Sequence, residues 1–210
     1  MNKTIAIGIG IFVYLLTSVA SYSYFNANTV QVGSVQIPTP AQTGGVIEGG
    51  PLTEECPLNG QLYTKEQRQV WEKRRPAGVM IQNHIESRPQ SGLSSADVVH
   101  EAIAEGGITR FLAMFYCENP TYVGSVRSAR IYYIRMLQGF GNYPIYLHVG
   151  GANTDGPADA LNEIVKLGWS RYNDLDNLTG VGIPVLRRYP DRLPNKATEH
   201  TVYGNTIEMW

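Results

Sequence analysis

The residues best suited to chemistry lie in Gly124-Ser125-Val126-Arg127-Ser128-Ala129-Arg130. A glycine and two serines ahead of an apolar run predict a helix start, where free backbone N–H groups and their dipoles point outward. Cations in a first turn oppose that dipole, so Arg127 and Arg130 at i, i+3 make sense around a bound anion. Ser128 belongs to the same candidate ligand site, and Arg110, entering the preceding strand, can point the same way. Arginine suits fixed bidentate contact with carboxylate or phosphate, and it outnumbers lysine over residues 56–210. A second assignment is internal. Asp97, Glu101 and Glu105 recur at every fourth position, and on a helix they form an acidic stripe whose like charges repel. The arginines can pair with that stripe as structural salt bridges. The two uses are compatible, because acids can orient arginines that hold a ligand.

Two other places fall where strands would end. Asn83 and His84 close one apolar run, and His148 with Gly150-Gly151 closes another; ligands collect at that edge of open α/β sheets. Arg88-Pro89-Gln90-Ser91-Gly92-Leu93-Ser94 is a polar turn that turn chemistry alone explains. His84, His100, His148 and His200 show neither H-x-H nor H-E-x-x-H spacing, so no metal site is expected. Neither a G-x-S-x-G elbow nor a P-loop is present. With 17 basic and 18 acidic side chains the net charge is −1, which gives no support to a nucleic-acid partner.

The elements that must position these residues alternate between strand and helix. Thr64-Lys65-Glu66-Gln67 is a capping box that opens a helix ended by Pro76. Ala77 to Gln82 reads as a buried strand. Ser94-Ser95-Ala96-Asp97 resembles a second capping box and predicts a helix ending at Gly106-Gly107, with Ala96, Val99 and Ile103 on one face. A strand comes next at Phe111–Tyr116, a helix at Val126–Leu137 and a strand at Ile145–Val149. Asp155-Gly156-Pro157 then opens a helix with Ala160, Leu161, Ile164 and Val165 inside, and Ile183–Leu186 is a short strand. This alternation predicts a layered α/β fold with a mainly parallel sheet flanked by helices. Cys56 and Cys117 lack C-x-x-C spacing; in an exported chain such a pair forms a disulfide, the alternative being two buried thiols.

The chain has 210 residues, 43% hydrophobic and 17% charged, which suits a globular domain rather than a disordered one. Residues 1–25 are set apart by a cationic start at Lys3, an uncharged run from Ile5, and Tyr22, Tyr24 and Phe25 beyond it. They read as a transmembrane anchor or as a signal peptide cleaved after Ser18-Val19-Ala20, and a buried helix is the bland alternative. Either leading reading exports the rest of the chain. Residues 26–55, rich in Gly, Pro, Thr, Gln and Val, read as a flexible extracytoplasmic linker, and residues 56–210 as the folded domain.

The runs Arg88–Leu93, Ala96-Asp97, Glu101, Glu105–Phe111, Val126–Arg130, His148–Gly151 and Glu199-His200 resemble the YerB-like family of extracytoplasmic bacterial proteins. The resemblance covers roughly Arg75 to Trp210 and implies a domain of unknown function in the cell envelope. Some members are lipoproteins, whereas no cysteine lies near the end of the apolar run here. Members also continue into a carboxy-terminal domain, so the chain is expected to be a fragment. A more distant similarity, of layout and arginine usage, is to the LytR-CpsA-Psr envelope transferases. The expected function is a membrane-tethered envelope module that binds an anionic lipid or glycan, or another envelope partner. Its cleft combines Arg110, Arg127, Ser128 and Arg130 with Asp97, Glu101, Glu105, Asn83 and His148. The alternative is an envelope enzyme acting on a phosphate-linked lipid or glycan, with a carboxylate as base or as a ligand of Mg²⁺. No cofactor is expected outside that alternative, and whether the protein is catalytic stays open. The expected location is the cell membrane, single-pass with the domain outside, or the medium if the leader is cleaved.

Overall fold

The computed structural model of the chain describes residues 3–27 and 50–210. It divides into two units, Met1–Thr39 and Pro40–Trp210. The first contains helix α1 (Lys3–Ala27). Among the described residues no helix is long and apolar enough to cross a membrane, so the single-pass span expected over residues 1–25 is not supported. Thr17, Ser18, Ser21 and Ser23 bring hydroxyls into the second half of α1 and lower its apolar character there. Most of the expected linker, residues 28–49, lies outside the described residues.

In the second unit β1 (Glu54–Glu55) and β2 (Leu62–Tyr63) form a small antiparallel ribbon, with α2 (Lys65–Trp71) after it. The expected capping box is formed in both directions. Thr64 Oγ1 accepts from Gln67 N at 3.3 Å, and Gln67 Oε1 accepts from Thr64 N at 2.8 Å. The helix ends at Trp71, earlier than Pro76 requires. Next come β3 (Ala77–Gln82), β4 (Val98–Glu105), β5 (Ile108–Phe115), β6 (Tyr122–Gly124), α3 (Ile131–Leu137), β7 (Ile145–His148) and α4 (Ala160–Lys166). The chain finishes with β8 (Asp174–Asp176), β9 (Leu186–Arg188), β10 (Val202–Asn205) and α5 (Thr206–Met209). The strand expected at Ile183–Leu186 therefore shares only Leu186 with β9.

The main sheet has the order β4-β5-β3-β7-β8, with every residue of β3 buried at its centre. It is mixed rather than mainly parallel: β4–β5 and β5–β3 are antiparallel, β3–β7 and β7–β8 parallel. The physical reason is the segment expected as a helix from Ser94. It forms strand β4, and Gly106 and Gly107, at φ +58° and +77°, make the two-residue turn that folds β5 back along it. Positive φ at both central residues is what the tight hairpin turn of this hand demands, and glycine supplies it without steric cost.

One face of this sheet packs Val79, Ile81, Ala113, Phe115 and Leu147 against Val123, Leu186 and Val202 of the antiparallel sheet β6-β10-β9. The other face packs Met80, Leu112, Met114 and Tyr146 against Tyr133, Ile134 and Leu137 of α3, with Ile164 and Trp169 beyond. The approach of α3 is close: a Cβ at Gly78 would lie 2.7 Å from Leu137 Cδ1 and 2.9 Å from Leu112 Cδ1. α4 is capped by Asp159 rather than Asp155, and Val165 points to solvent while Ala160 and Ile164 are buried. A third small cluster of Cys56, Tyr63 and Trp71 surrounds the Cys56–Cys117 disulfide, which is formed.

Candidate functional site

Two parallel strands that part leave a crevice at their carboxyl ends, where a ligand can be gripped by backbone and side chain together. β3 and β7 pair only from Ala77↔Ile145 to Val79↔Leu147. Beyond that the extended segment 125–129 runs between them. Gln82 N donates to Ser125 O and Arg127 N to Met80 O on the β3 side. On the β7 side Val149 N donates to Arg127 O and Ala129 N to Gly150 O. Arg127 thus sits in the fork, its main chain bonded to both strands. This corrects the expected helix at Val126–Leu137. Only Ile131–Leu137 is helical, so no helix N-terminus underlies Arg127, and Arg130 is the N-cap residue of a helix only seven residues long.

The three arginines are divided between two carboxylates. Arg110, only 6% exposed, donates to Ser128 O at 2.8 Å and pairs with Glu105 Oε2 at 3.0 Å. Arg130 pairs with the other oxygen of Glu105 through both Nε and Nη2, and gives its third contact to Ala129 O at 2.7 Å. Burial pulls both guanidinium pKa values down from their ordinary value, and neither comes near losing its proton. Arg127 meets Glu199 at 3.3 Å, with a quarter of its side chain exposed. Ser128 contributes its carbonyl, as the acceptor for Arg110.

The acidic stripe does not exist as a unit. On a strand Glu101 and Glu105 are about 13 Å apart, too far for the repulsion a helix would impose. Glu101 accepts from Thr109 Oγ1 at 2.5 Å and Asn83 Nδ2 at 3.2 Å. Asn83 is itself locked, its Oδ1 accepting from Arg88 Nη2 at 2.8 Å and Gln90 Nε2 at 3.2 Å. Asp97 lies at the other end of the strand, buried against the disulfide. It accepts from the backbone N–H groups of Tyr116, Cys117 and Glu118 and from Asn59 Nδ2. Burial raises its pKa against those hydrogen bonds. His148 is fully buried, bonded through Nδ1 to Gly150 O at 2.8 Å and through Nε2 to Asp174 at 2.5 Å. It holds the β7–β8 edge in place and presents no ring atom to solvent.

Beside Arg127 the tertiary structure assembles residues the spacing analysis did not connect. His200 Nδ1 lies 2.9 Å from Gln82 Oε1, and its ring stacks on His84 at 5.6 Å and 6°. Ser125 Oγ donates to His200 O at 2.7 Å, and Glu199 Oε1 is 3.7 Å from His200 Nε2. Lys196 pairs with Glu86 at 2.9 Å on the same rim. The sequence marks its members only separately: His84 at a strand end, Ser125 in the Gly124–Arg130 run and the Glu199-His200 dipeptide.

Burial lowers the pKa of His200, with Arg127 and His84 adding to the shift and Glu199 and Glu86 opposing it. A base with a depressed folded pKa takes up protons on unfolding, so its contribution is present above the ordinary imidazole value and lost as pH falls through it. Between pH 7 and 5 stability should fall by at most about 1.4 kcal/mol per pH unit from this group. Urea midpoints of the wild type and His200→Gln check this; the variant should show the shallower decline.

Among the described residues the one convergent set of metal-ligand atoms is Cys56, Asp97 and Cys117, and both sulfurs are committed to the disulfide. A shallow cavity of about 300 Å³ lined by Gln138, Asn142, Tyr143 and Trp169 lies at the opposite, amino-terminal edge of β7 and carries no charged side chain.

The fold and this rim define a class: a disulfide-stapled, mixed α/β domain with arginines gathered at the carboxyl ends of its central strands. The chain belongs to the family described as "Protein of unknown function (DUF3048) N-terminal domain", which matches residues 60–210. It is 47% identical over 114 residues to the Bacillus subtilis (strain 168) protein named "Putative lipoprotein YerB", covering 51% of this chain and 33% of that one. The crystal structure of YerB from Bacillus subtilis superposes with a TM-score of 0.57 at 35% identity, over 73% of this chain and 46% of the other. The chain therefore spans less than half the length of these relatives.

Proposed function

We propose that the domain is an extracytoplasmic binding module for an anionic envelope ligand, a phosphate-bearing lipid or glycan, held at the β3–β7 fork. The observation that carries this is Arg127. Its backbone is fixed to Met80 and Val149, while among the described residues its guanidinium has a single carboxylate partner, at 3.3 Å, and a quarter of its side chain is exposed. A pre-positioned, incompletely paired arginine at a strand fork is suited to bidentate capture of a phosphate. Arg110 and Arg130 stand behind it and add to the positive potential; Arg110 feels the charge of Arg127 directly. Export is supported by Lys3 ahead of the apolar run and by the small residues Ser18 and Ala20 beyond it. The lipoprotein name of the relative supports an envelope setting.

Calorimetric titration of the full chain with pyrophosphate and a short-chain polyprenyl pyrophosphate, with and without Mg²⁺, tests the proposal. Saturable binding is expected, weakened at least tenfold in Arg127→Ala. Absence of binding to either compound overturns it. Release of phosphate that depends on Mg²⁺ would move the protein to the enzymatic alternative, in which Mg²⁺ is a cofactor.

A further inference from the structure

Resting on that anion-binding reading, we infer that Glu105 is a built-in occupant of the Arg110–Arg130 pair, displaced when a phosphate-bearing ligand binds. The geometry is that of a ligand already in place. One carboxylate is divided between two guanidinium groups, Oε2 facing Arg110 and Oε1 facing Arg130. The arginines are the buried partners and the glutamate the exposed one, with side-chain exposures of 7% and 20% against 54%.

The position of Glu105 allows it to leave. It is the last residue of β4, immediately before Gly106-Gly107, and the register of the hairpin shifts between Ile103 and Glu105. Among the described residues nothing lies within 4 Å of where a Cβ would stand on either glycine, so the turn is unpacked by them. The cost of moving it is low, because a glycine turn beside a register shift has little packing to lose.

The arginine pair has donor capacity that Glu105 leaves unused. Among the described residues Arg110 Nε is buried without an acceptor, and so is Tyr146 Oη, a hydroxyl that both Arg110 and Arg130 influence electrostatically. Buried donors are nearly always satisfied. A carboxylate brings two oxygens to the pair, whereas a tetrahedral phosphoryl group brings three or four in a geometry that more donors can reach. The substrate class is thus a phosphate group in preference to a carboxylate. Ser128 O holds the third edge of Arg110 and keeps it oriented when Glu105 swings away.

Pyrophosphate titration of the full chain at fixed ionic strength, with wild type, Glu105→Gln and Glu101→Gln, separates this from a general charge effect. Glu101 sits on the same strand and bonds Asn83 and Thr109 rather than an arginine. The expected result is five- to tenfold tighter binding in Glu105→Gln and unchanged binding in Glu101→Gln. Equal gains in both variants mean bulk charge and overturn the displacement. Wild-type binding with no gain in Glu105→Gln overturns it too and leaves the anion site standing. No binding in any variant overturns both readings. If Glu105→Gln does not fold, Glu105→Asp takes its place: one methylene shorter, it cannot span both guanidinium groups and should also bind pyrophosphate more tightly than wild type.

Discussion

Reducing the Cys56–Cys117 disulfide should lower the unfolding free energy by about 4 kcal/mol. The two cysteines are 61 residues apart in sequence, so the bond closes a long loop in the unfolded chain. The elements it ties down are otherwise held by the Asn59–Asp97 and Tyr63–Glu118 hydrogen bonds and a small apolar cluster. Among the described residues the β1–β2 ribbon and α2 share a small cluster of Cys56, Tyr63 and Trp71 with Leu58 and Tyr116 against it, and the disulfide joins it to the end of β5. Urea denaturation with and without reductant, beside the Cys56→Ser/Cys117→Ser double variant, measures the effect. Matching losses in the two experiments are expected. An unchanged midpoint would mean that this lobe is held by those hydrogen bonds and by Tyr63 and Trp71 packing alone.

Truncating Asp97 should cost about 3 kcal/mol, by leaving three backbone N–H groups and the Asn59 amide without their acceptor. The residue carries structure here, and anion affinity should survive its replacement. Its effect should not add to that of disulfide loss, since both act on the Tyr116–Glu118 segment. The pH dependence has a definite sign. A carboxyl whose folded pKa is raised binds its proton more tightly when folded, so this group favours the fold at acid pH and that increment is lost as pH rises through the raised value. Asp97→Asn should flatten the profile above pH 4 and lose less stability than Asp97→Ala. A steeper profile in Asp97→Asn would contradict the assignment.

These expectations concern residues whose roles changed between sequence and structure, and the reason is specific in each case. Ser94 to Gly107 fits two patterns. Ala96, Val99 and Ile103 match a helical face and Gly106-Gly107 a helix end, but the same glycines fit a hairpin turn, and the inward series Val98, His100, Ala102 and Ala104 alternates as a strand. Small inward residues weaken that alternation, so local pattern alone does not decide. Tertiary contacts accompany the strand form: the Tyr133 hydroxyl meets the backbone of Ala102 and Arg110, a paired position ahead of the β4–β5 register shift. Likewise the apolar pattern of 131–137 is helical in fact, while 126–130 is drawn out by hydrogen bonds to β3 and β7 that no local signal announces.

What the amino-acid sequence determined by itself is therefore what depends on neighbours in the chain. It set the Thr64–Gln67 capping box, the wholly apolar core strand Ala77–Ile81, the concentration of arginines around residues 110–130 and the single cysteine pair. The tertiary structure alone decided which carboxylate each arginine meets, that Asp97 serves the disulfide lobe, and that Gln82, His84, Glu199 and His200 share a rim with Arg127. Helix caps and apolar periodicity are short-range and can be read along the chain. An ion pair between Arg127 and Glu199 exists only because β10 returns beside β6 and segment 125–129 is threaded between two parallel strands.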